Sequence, residues 1–228
     1  MDRELIQAVS FDAAGTLIHL ASPVGESYAG VAREHGIEAD PDQLNDAFRA
    51  VWKRTPLPFS PESHIRDPNE KAWWSRLVRS VFEEVGAELP DADEYGIFFE
   101  DLYDHFERPG TWVADPDALE VVNTVSSAFQ TFVLSNFDAR LRRILSDLNL
   151  LNAFEAVILS CEMGASKPDP KIFEAAASHV GITAPEILHV GDDPICDWQG
   201  AEESGFQVFR VGKGHARLGE LLRELSLA

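Results

Sequence analysis

Leu5-Ile6-Gln7-Ala8-Val9-Ser10-Phe11-Asp12-Ala13-Ala14-Gly15-Thr16-Leu17 changes character at a single step, where an apolar run ends on Asp12 and the chain turns polar and flexible. Val9 and Phe11 suit a buried strand, and Gly15 permits a backbone that approaches an anion closely. The pattern predicts a strand that delivers Asp12 into a loop. Ala14 is the odd member, standing where a second carboxylate would be useful to chemistry at Asp12.

Working outward, residues 18–108 lose strand-like runs and show helical periodicity broken by Pro and Gly, which predicts an inserted all-helical domain. Helices are expected over 24–36, 41–54, 69–86 and 91–107, with Asp40-Pro41 and Asp67-Pro68-Asn69 as start signals and 55–61 as a loop. Trp52, Trp73, Trp74, Phe82, Phe98, Phe99 and Phe106 supply that insert with its own core. Trp73 and Trp74, being adjacent, cannot both face the same way.

From Pro109 onward helix and strand alternate, which predicts a parallel sheet covered by helices on both faces. Strands are expected at 130–135, 156–160, 187–190 and 207–211, with helices over 116–128, 139–148, 169–179, 195–204 and 216–226. The domains are therefore an α/β core of 1–17 and 109–228 and a helical insert of 18–108.

Composition bounds the function. The chain has 228 residues, 45% of them hydrophobic, enough for one good core and a smaller satellite. A formal charge of −20, about half of it in residues 18–108, argues against nucleic acid or an anionic membrane as partner. No apolar run approaches bilayer length, and the start lacks the pattern of a signal peptide, so a cytoplasmic protein is expected. Cys161 and Cys196 are too few for a disulfide framework and are expected as reduced thiols packed in the core. The histidines show no metal-ligand spacing, and His189 on its strand is expected to be packed and hydrogen-bonded.

Open α/β sheets place ligands at the carboxyl ends of their strands. Here the first strand ends in Asp12, the second in Ser135-Asn136 and the fourth in Gly191-Asp192-Asp193, with Asp197 on the next turn and Lys167-Pro168 before the intervening helix. Each has a job near a phosphate: Asp12 as carboxylate nucleophile, Ser135 and Lys167 holding the transferring oxygens, Asp192 binding Mg²⁺. Singly, each also has a plain reading as a turn former, cap or surface residue. Their coincidence at successive strand ends favours one shared site.

These pieces resemble the haloacid dehalogenase (HAD)-like hydrolase superfamily, subfamily I with a helical C1-type cap. The matching motifs are Phe11 to Leu17, Leu134-Ser135-Asn136-Phe137-Asp138, Ser166-Lys167-Pro168-Asp169-Pro170 and Gly191 to Asp197, all in order. Pro23-Val24-Gly25, Ala72-Trp73-Trp74 and Ser135 to Asp138 look like the HAD-like hydrolase domain-containing, DREG-2-like subgroup. The resemblance implies a Rossmann-like parallel sheet of strand order 5-4-1-2-3 with the insert as cap. It implies Mg²⁺ held by Asp12, the Ala14 backbone carbonyl and Asp192, with Asp193 and Asp197 as outer or alternative ligands. Gly15, Thr16, Ser135, Asn136 and Lys167 would surround the phosphate, and a small phosphorylated metabolite would be the substrate of a monomer or dimer.

Ala14 departs from the pattern. Phosphatases of the superfamily carry an aspartate there that protonates the leaving group, help worth about 10²- to 10⁴-fold. The expectation is an aspartyl-phosphate enzyme of weak or leaving-group-selective phosphatase activity. Two alternatives remain: a phosphonatase-like P–C hydrolase using cap lysine Lys53, with Lys71 less well placed, and a catalytically impaired phosphate-binding or regulatory protein. The metal-free dehalogenases fit less well, because they lack the acidic pair Asp192 and Asp193. His64, Arg66, Arg76 and Arg79 are the polar candidates for substrate choice in the insert.

Overall fold

The computed structural model describes residues 2–59 and 70–227. Five strands form a parallel sheet: β1 (Ala8–Phe11), β4 (Gln130–Ser135), β5 (Ala156–Leu159), β6 (Ile187–Gly191) and β7 (Gln207–Arg210), ordered β5-β4-β1-β6-β7. This is the expected 5-4-1-2-3 order. Every residue of β1 is buried, as a strand needs to be when it is central to a parallel sheet covered by helices. Register does the rest: Phe11 lies opposite Val133 and Val190, so Asp12 leaves β1 at the edge where Ser135 ends β4 and Asp192 follows β6.

The helices of this sheet domain are α5 (Ala118–Ser126), α6 (Arg140–Asp147), α7 (Ser160–Met163), α8 (Pro170–Val180), α9 (Gly200–Glu203) and α10 (Glu220–Glu224). On one face Ala8, Phe132, Leu134, Ile158 and Ile187 pack with Ile172, Phe173 and Ala176 of α8 and Ala201 of α9. Helix α8 starts where the sequence signals it, with Asp169 accepting the Lys171 N–H and Pro170 at the first helical position. Asp138, quoted above as part of a motif, accepts the Arg140 backbone N–H and pairs with its buried guanidinium at the start of α6.

The described residues divide into two compact units, 2–19 with 59 and 113–227, and 20–58 with 70–112. The divisions fall at 19/20 and 112/113, against the expected 17/18 and 108/109. The second unit holds α1 (Val24–Glu34), α2 (Pro41–Arg54), α3 (Glu70–Glu84) and α4 (Ala92–His105). Asp40 caps α2 and Asp91 caps α4. Tyr28, Phe82 and Phe98 form its aromatic centre, with Tyr28 stacked on Phe82 at 6.0 Å and Phe98 edge-on to Phe82 at 5.3 Å. Trp73 is buried and Trp74 only partly so, their rings crossing at 83°.

Several local expectations are corrected. The first strand begins at Ala8, and Arg3–Leu5 form a 3₁₀ turn. Two three-residue strands, β2 (Ile18–Leu20) and β3 (Trp112–Ala114), pair in a separate sheet that no local pattern announced. The expected helix 195–204 is a wide π-helical turn over Pro194–Gln199 followed by α9, and the last helix is limited to Glu220–Glu224. Cys161 and Cys196 are not joined in a disulfide, as expected, but both are only half-buried, not core residues. His64, Arg66 and the Asp67-Pro68-Asn69 signal lie outside the described residues.

Candidate active site

Asp12 is buried just past β1, and its Oδ1 accepts hydrogen bonds from Ser135 Oγ at 3.1 Å and Lys167 Nζ at 2.8 Å. Lys167 is 1% exposed and donates also to Asp197 Oδ1 at 2.5 Å. The ammonium therefore bridges two carboxylates, using two of its three N–H donors. Asn136 fixes the lysine from behind: its Nδ2 donates to the Lys167 carbonyl and its Oδ1 accepts the Lys167 N–H, both at 2.8 Å. The Lys167–Pro168 peptide is cis.

Two glycines let the acids come this close. Gly15 has φ +100°, and a Cβ there would lie 2.5 Å from Asp192 Oδ2. A Cβ at Gly191 would lie 2.4 Å from Asp197 Cγ, so only glycine allows the Asp197 carboxylate to rest against β6. Thr16 Oγ donates to Asp192 Oδ1 at 3.2 Å. The N–H groups of Gly15 and Thr16 are donated within the turn, to the carbonyls of Ile18 and Ala13. The donors seen on Gly15, Thr16 and Asn136 are thus engaged inside the protein. Their observed work is to shape the loop and hold Asp192 and Lys167.

The remaining acids differ in role. Asp193 is exposed and caps the π-helical turn, accepting the N–H groups of Ile195 and Cys196. Asp197 is buried, with Oδ1 taken by Lys167 and His189 and Oδ2 by the Asp193 N–H at 3.0 Å. Asp12, Asp192 and Asp197 each offer an oxygen within 4.8 Å of the others, a group able to hold a metal ion. Since both Asp197 oxygens already accept hydrogen bonds, Asp12 and Asp192 are the better placed ligands. Three ionised carboxylates against one ammonium leave two negative charges unbalanced, which suits a divalent cation with a preference for oxygen.

Electrostatics agree with a crowded acidic pocket. Burial raises the Asp12 carboxyl to about 6, with Asp197 and Asp192 adding to the rise and Lys167 opposing it. Burial and Asp197 also raise Asp192. For Lys167, burial works against the charge, yet Asp12 and Asp197 more than offset it and hold the amine protonated. Asp197 shows the same contest, burial raising it and Lys167 and His189 carrying it below the ordinary range. Cys196 is pushed up to about 12, by burial first and then Asp193, which makes it an inert thiol.

Ala14 is exposed and brings no proton donor to the loop. In the helical unit, Lys53 is exposed on α2, outside the apolar setting an amine nucleophile needs. Lys71 is paired with Glu100 and lies over the Tyr103 ring, and Arg79 lies 3.8 Å over the Tyr95 ring, while Arg76 is exposed. Sequence reasoning placed His189 in the core but missed its bond to Asp197. The signal available was a histidine in an otherwise apolar central strand.

Comparison with known proteins follows the same lines. The family profile described as haloacid dehalogenase-like hydrolase matches residues 6–205. Mouse haloacid dehalogenase-like hydrolase domain-containing protein 3 is 33% identical over 207 residues, covering 90% of this chain and 82% of the relative. The rhythmically expressed gene 2 protein of Drosophila melanogaster is 28% identical over 210 residues, covering 87% and 80%. Among solved structures, the HAD-hydrolase YfnB from Bacillus subtilis bound to magnesium superposes with a TM-score of 0.76 at 16% identity, covering 97% of this chain and 99% of that one. The chain belongs to the haloacid dehalogenase-like hydrolases, in the subgroup that holds these mouse and fly proteins.

Proposed function

We propose that the protein is a Mg²⁺-dependent phosphohydrolase that passes through a phosphoryl group on Asp12 and favours substrates whose leaving groups depart unprotonated. The observation that carries this reading is the state of Asp12: Oδ1 is tied to Ser135 and Lys167, while among the described residues Oδ2 has no such tie. A carboxylate fixed by one oxygen presents the other as a nucleophile in a constant direction.

In the first step Asp12 Oδ2 forms a bond to phosphorus, the bond from phosphorus to the leaving oxygen breaks, and that oxygen takes the electron pair. In the second, water attacks phosphorus, the Asp12 carboxylate is released, and inorganic phosphate carries away the oxygen and protons of the water. The third N–H of Lys167 is assigned to a non-bridging oxygen, where charge accumulates, while the single O–H of Ser135 stays on Asp12 Oδ1. Mg²⁺, held by Asp12, Asp192 and the Ala14 carbonyl, would supply charge neutralisation at the phosphoryl group. Asp197 keeps Lys167 charged and in place.

Residue 14 sets the chemical preference. With methyl in place of carboxyl, no side chain there protonates a departing alkoxide, so acyl and aryl phosphates are the preferred class and alkyl phosphates are slow. A cap role for the helical unit, a cytoplasmic location and a small phosphorylated metabolite as substrate belong to the same proposal. The test is hydrolysis of acetyl phosphate and an aryl phosphate with Mg²⁺ by the wild type and Asp12→Asn. The expected result is turnover that Mg²⁺ supports and the substitution abolishes. Equal rates in the two proteins would remove Asp12 as nucleophile. Phosphate binding with no turnover of any ester would instead support the impaired, phosphate-binding alternative, which Ala14 favours.

A further inference from the structure

Ser10 and His189 break the apolar rule of the sheet. They are opposite one another on β1 and β6, both fully buried, on the face covered by α8. Their neighbours on that face, Ala8 and Ile187, are apolar, as central parallel strands require. A buried histidine is costly unless both ring nitrogens are satisfied, and these are: Nδ1 lies 2.8 Å from Ser10 Oγ and Nε2 lies 3.0 Å from Asp197 Oδ1. Phe173 stands edge-on to the ring at 5.9 Å, so its plane is fixed as well.

We infer that His189 is a positioning residue for the phosphoryl site, acting on Asp12 through Asp197 and Lys167. The chain of contacts is continuous: Ser10 Oγ, His189, Asp197 Oδ1, Lys167 Nζ, Asp12 Oδ1. An ionised Asp197 accepts only, so Nε2 carries the hydrogen and the neutral ring leaves Nδ1 as an acceptor. The Ser10 hydroxyl, 3.5 Å from the Leu188 carbonyl but 2.8 Å from Nδ1, then donates to the nearer acceptor and selects that tautomer. Lys167 and His189 share one oxygen of Asp197, and this sets where the ammonium sits between Asp197 and the nucleophile. Loss of the imidazole donor leaves Asp197 Oδ1 held by Lys167 alone, with Oδ2 still on the Asp193 N–H, so Oδ1 shifts and draws Lys167 off Asp12. The kinetic consequence rests on the phosphohydrolase reading, whereas the tautomer does not.

The experiment has two arms. In ¹⁵N-histidine NMR of the wild type, His189 is expected as the tautomer protonated at Nε2, and Ser10→Ala is expected to shift the Nδ1 signal through loss of its donor. An Nδ1-protonated ring, or a spectrum indifferent to Ser10→Ala, overturns the inference whether or not the protein turns over phosphate. In the kinetic arm, His189→Leu keeps bulk and removes the donor, and His189→Gln restores an N–H near the Nε2 position. Loss of one hydrogen bond to a charged group predicts a fall in kcat of roughly ten- to a hundredfold for His189→Leu, with KM nearly unchanged and His189→Gln recovering most of it. Equal impairment of the two variants, or wild-type kcat in a folded His189→Leu, would assign His189 to packing alone.

Discussion

Replacing Lys167 with methionine should destabilise the sheet domain strongly at pH 8 and weakly at pH 4. Methionine keeps most of the volume, so the effect is electrostatic. Lys167 is 1% exposed and touches Asp12 and Asp197 at 2.8 and 2.5 Å, and removing one partner of such a buried set costs about 3–5 kcal/mol. The sign follows from the protonation states. With the ammonium present, its raised folded value keeps it charged from pH 4 to pH 8, so the pH dependence comes from the carboxyls it faces. Without it, Asp12 keeps only Ser135, and Asp197 only His189 and the Asp193 N–H, against burial and mutual repulsion, so both ionise at higher pH than with the lysine present. The penalty therefore grows as pH rises above about 4 and shrinks as they protonate. Hydrogen exchange of the β1 and β6 amides in EDTA reads this domain apart from the helical unit. A loss below about 1 kcal/mol at pH 8, or one that does not change with pH, would refute the reasoning.

Other outcomes are expected from the same geometry. For metal-free protein, Asp12 at about 6 rather than 3.8 means the folded state holds a proton the unfolded chain has lost. Stability should therefore fall by about 3 kcal/mol as pH rises through that interval, and Asp12→Asn should remove the fall in a pH series of urea unfolding. Ala14→Asp meets no packing obstacle at an exposed position and should raise alkyl phosphate turnover at least about tenfold; no gain would show that leaving-group protonation is not limiting. Gly191→Ala puts a Cβ 2.4 Å from Asp197 Cγ, so Asp197 has to move and phosphatase activity should collapse, as kinetics on the purified variant would show. Phe82→Ala in the helical unit should lower its stability by about 3–5 kcal/mol, read from the fluorescence of Trp52, Trp73 and Trp74 during urea unfolding.

Much of this was legible in the chain because the signals were local. Asp12 after an apolar strand, Asp40-Pro41 before a helix and Asp169-Pro170 before α8 are each readable within a few residues. Strands β2 and β3 were not, since three residues cannot display an alternation and their pairing joins positions far apart in sequence. The turn after β6 read as an ordinary helix because Asp193-Pro194 is a helix start signal and Gly200-Ala201-Glu202-Glu203 continues it. Its wider π form accompanies Asp197 turning back to accept the Asp193 N–H, beside a glycine that admits the carboxylate. The residues at the site were legible as a set, but their division of labour was not. That Asn136 clamps the Lys167 backbone, and that Asp197 serves Lys167, depends on which oxygen faces which donor.

Trapping the phosphorylated protein tests the nucleophile assignment most directly. Wild-type protein is mixed with acetyl phosphate and Mg²⁺, quenched in acid, and its acyl phosphate reduced with borohydride before peptide mass analysis. Reduction confined to Asp12, absent without Mg²⁺ and absent in Asp12→Asn, is the predicted result. A modified residue other than Asp12, or phosphate release with no modified carboxylate at any time during turnover, would contradict it.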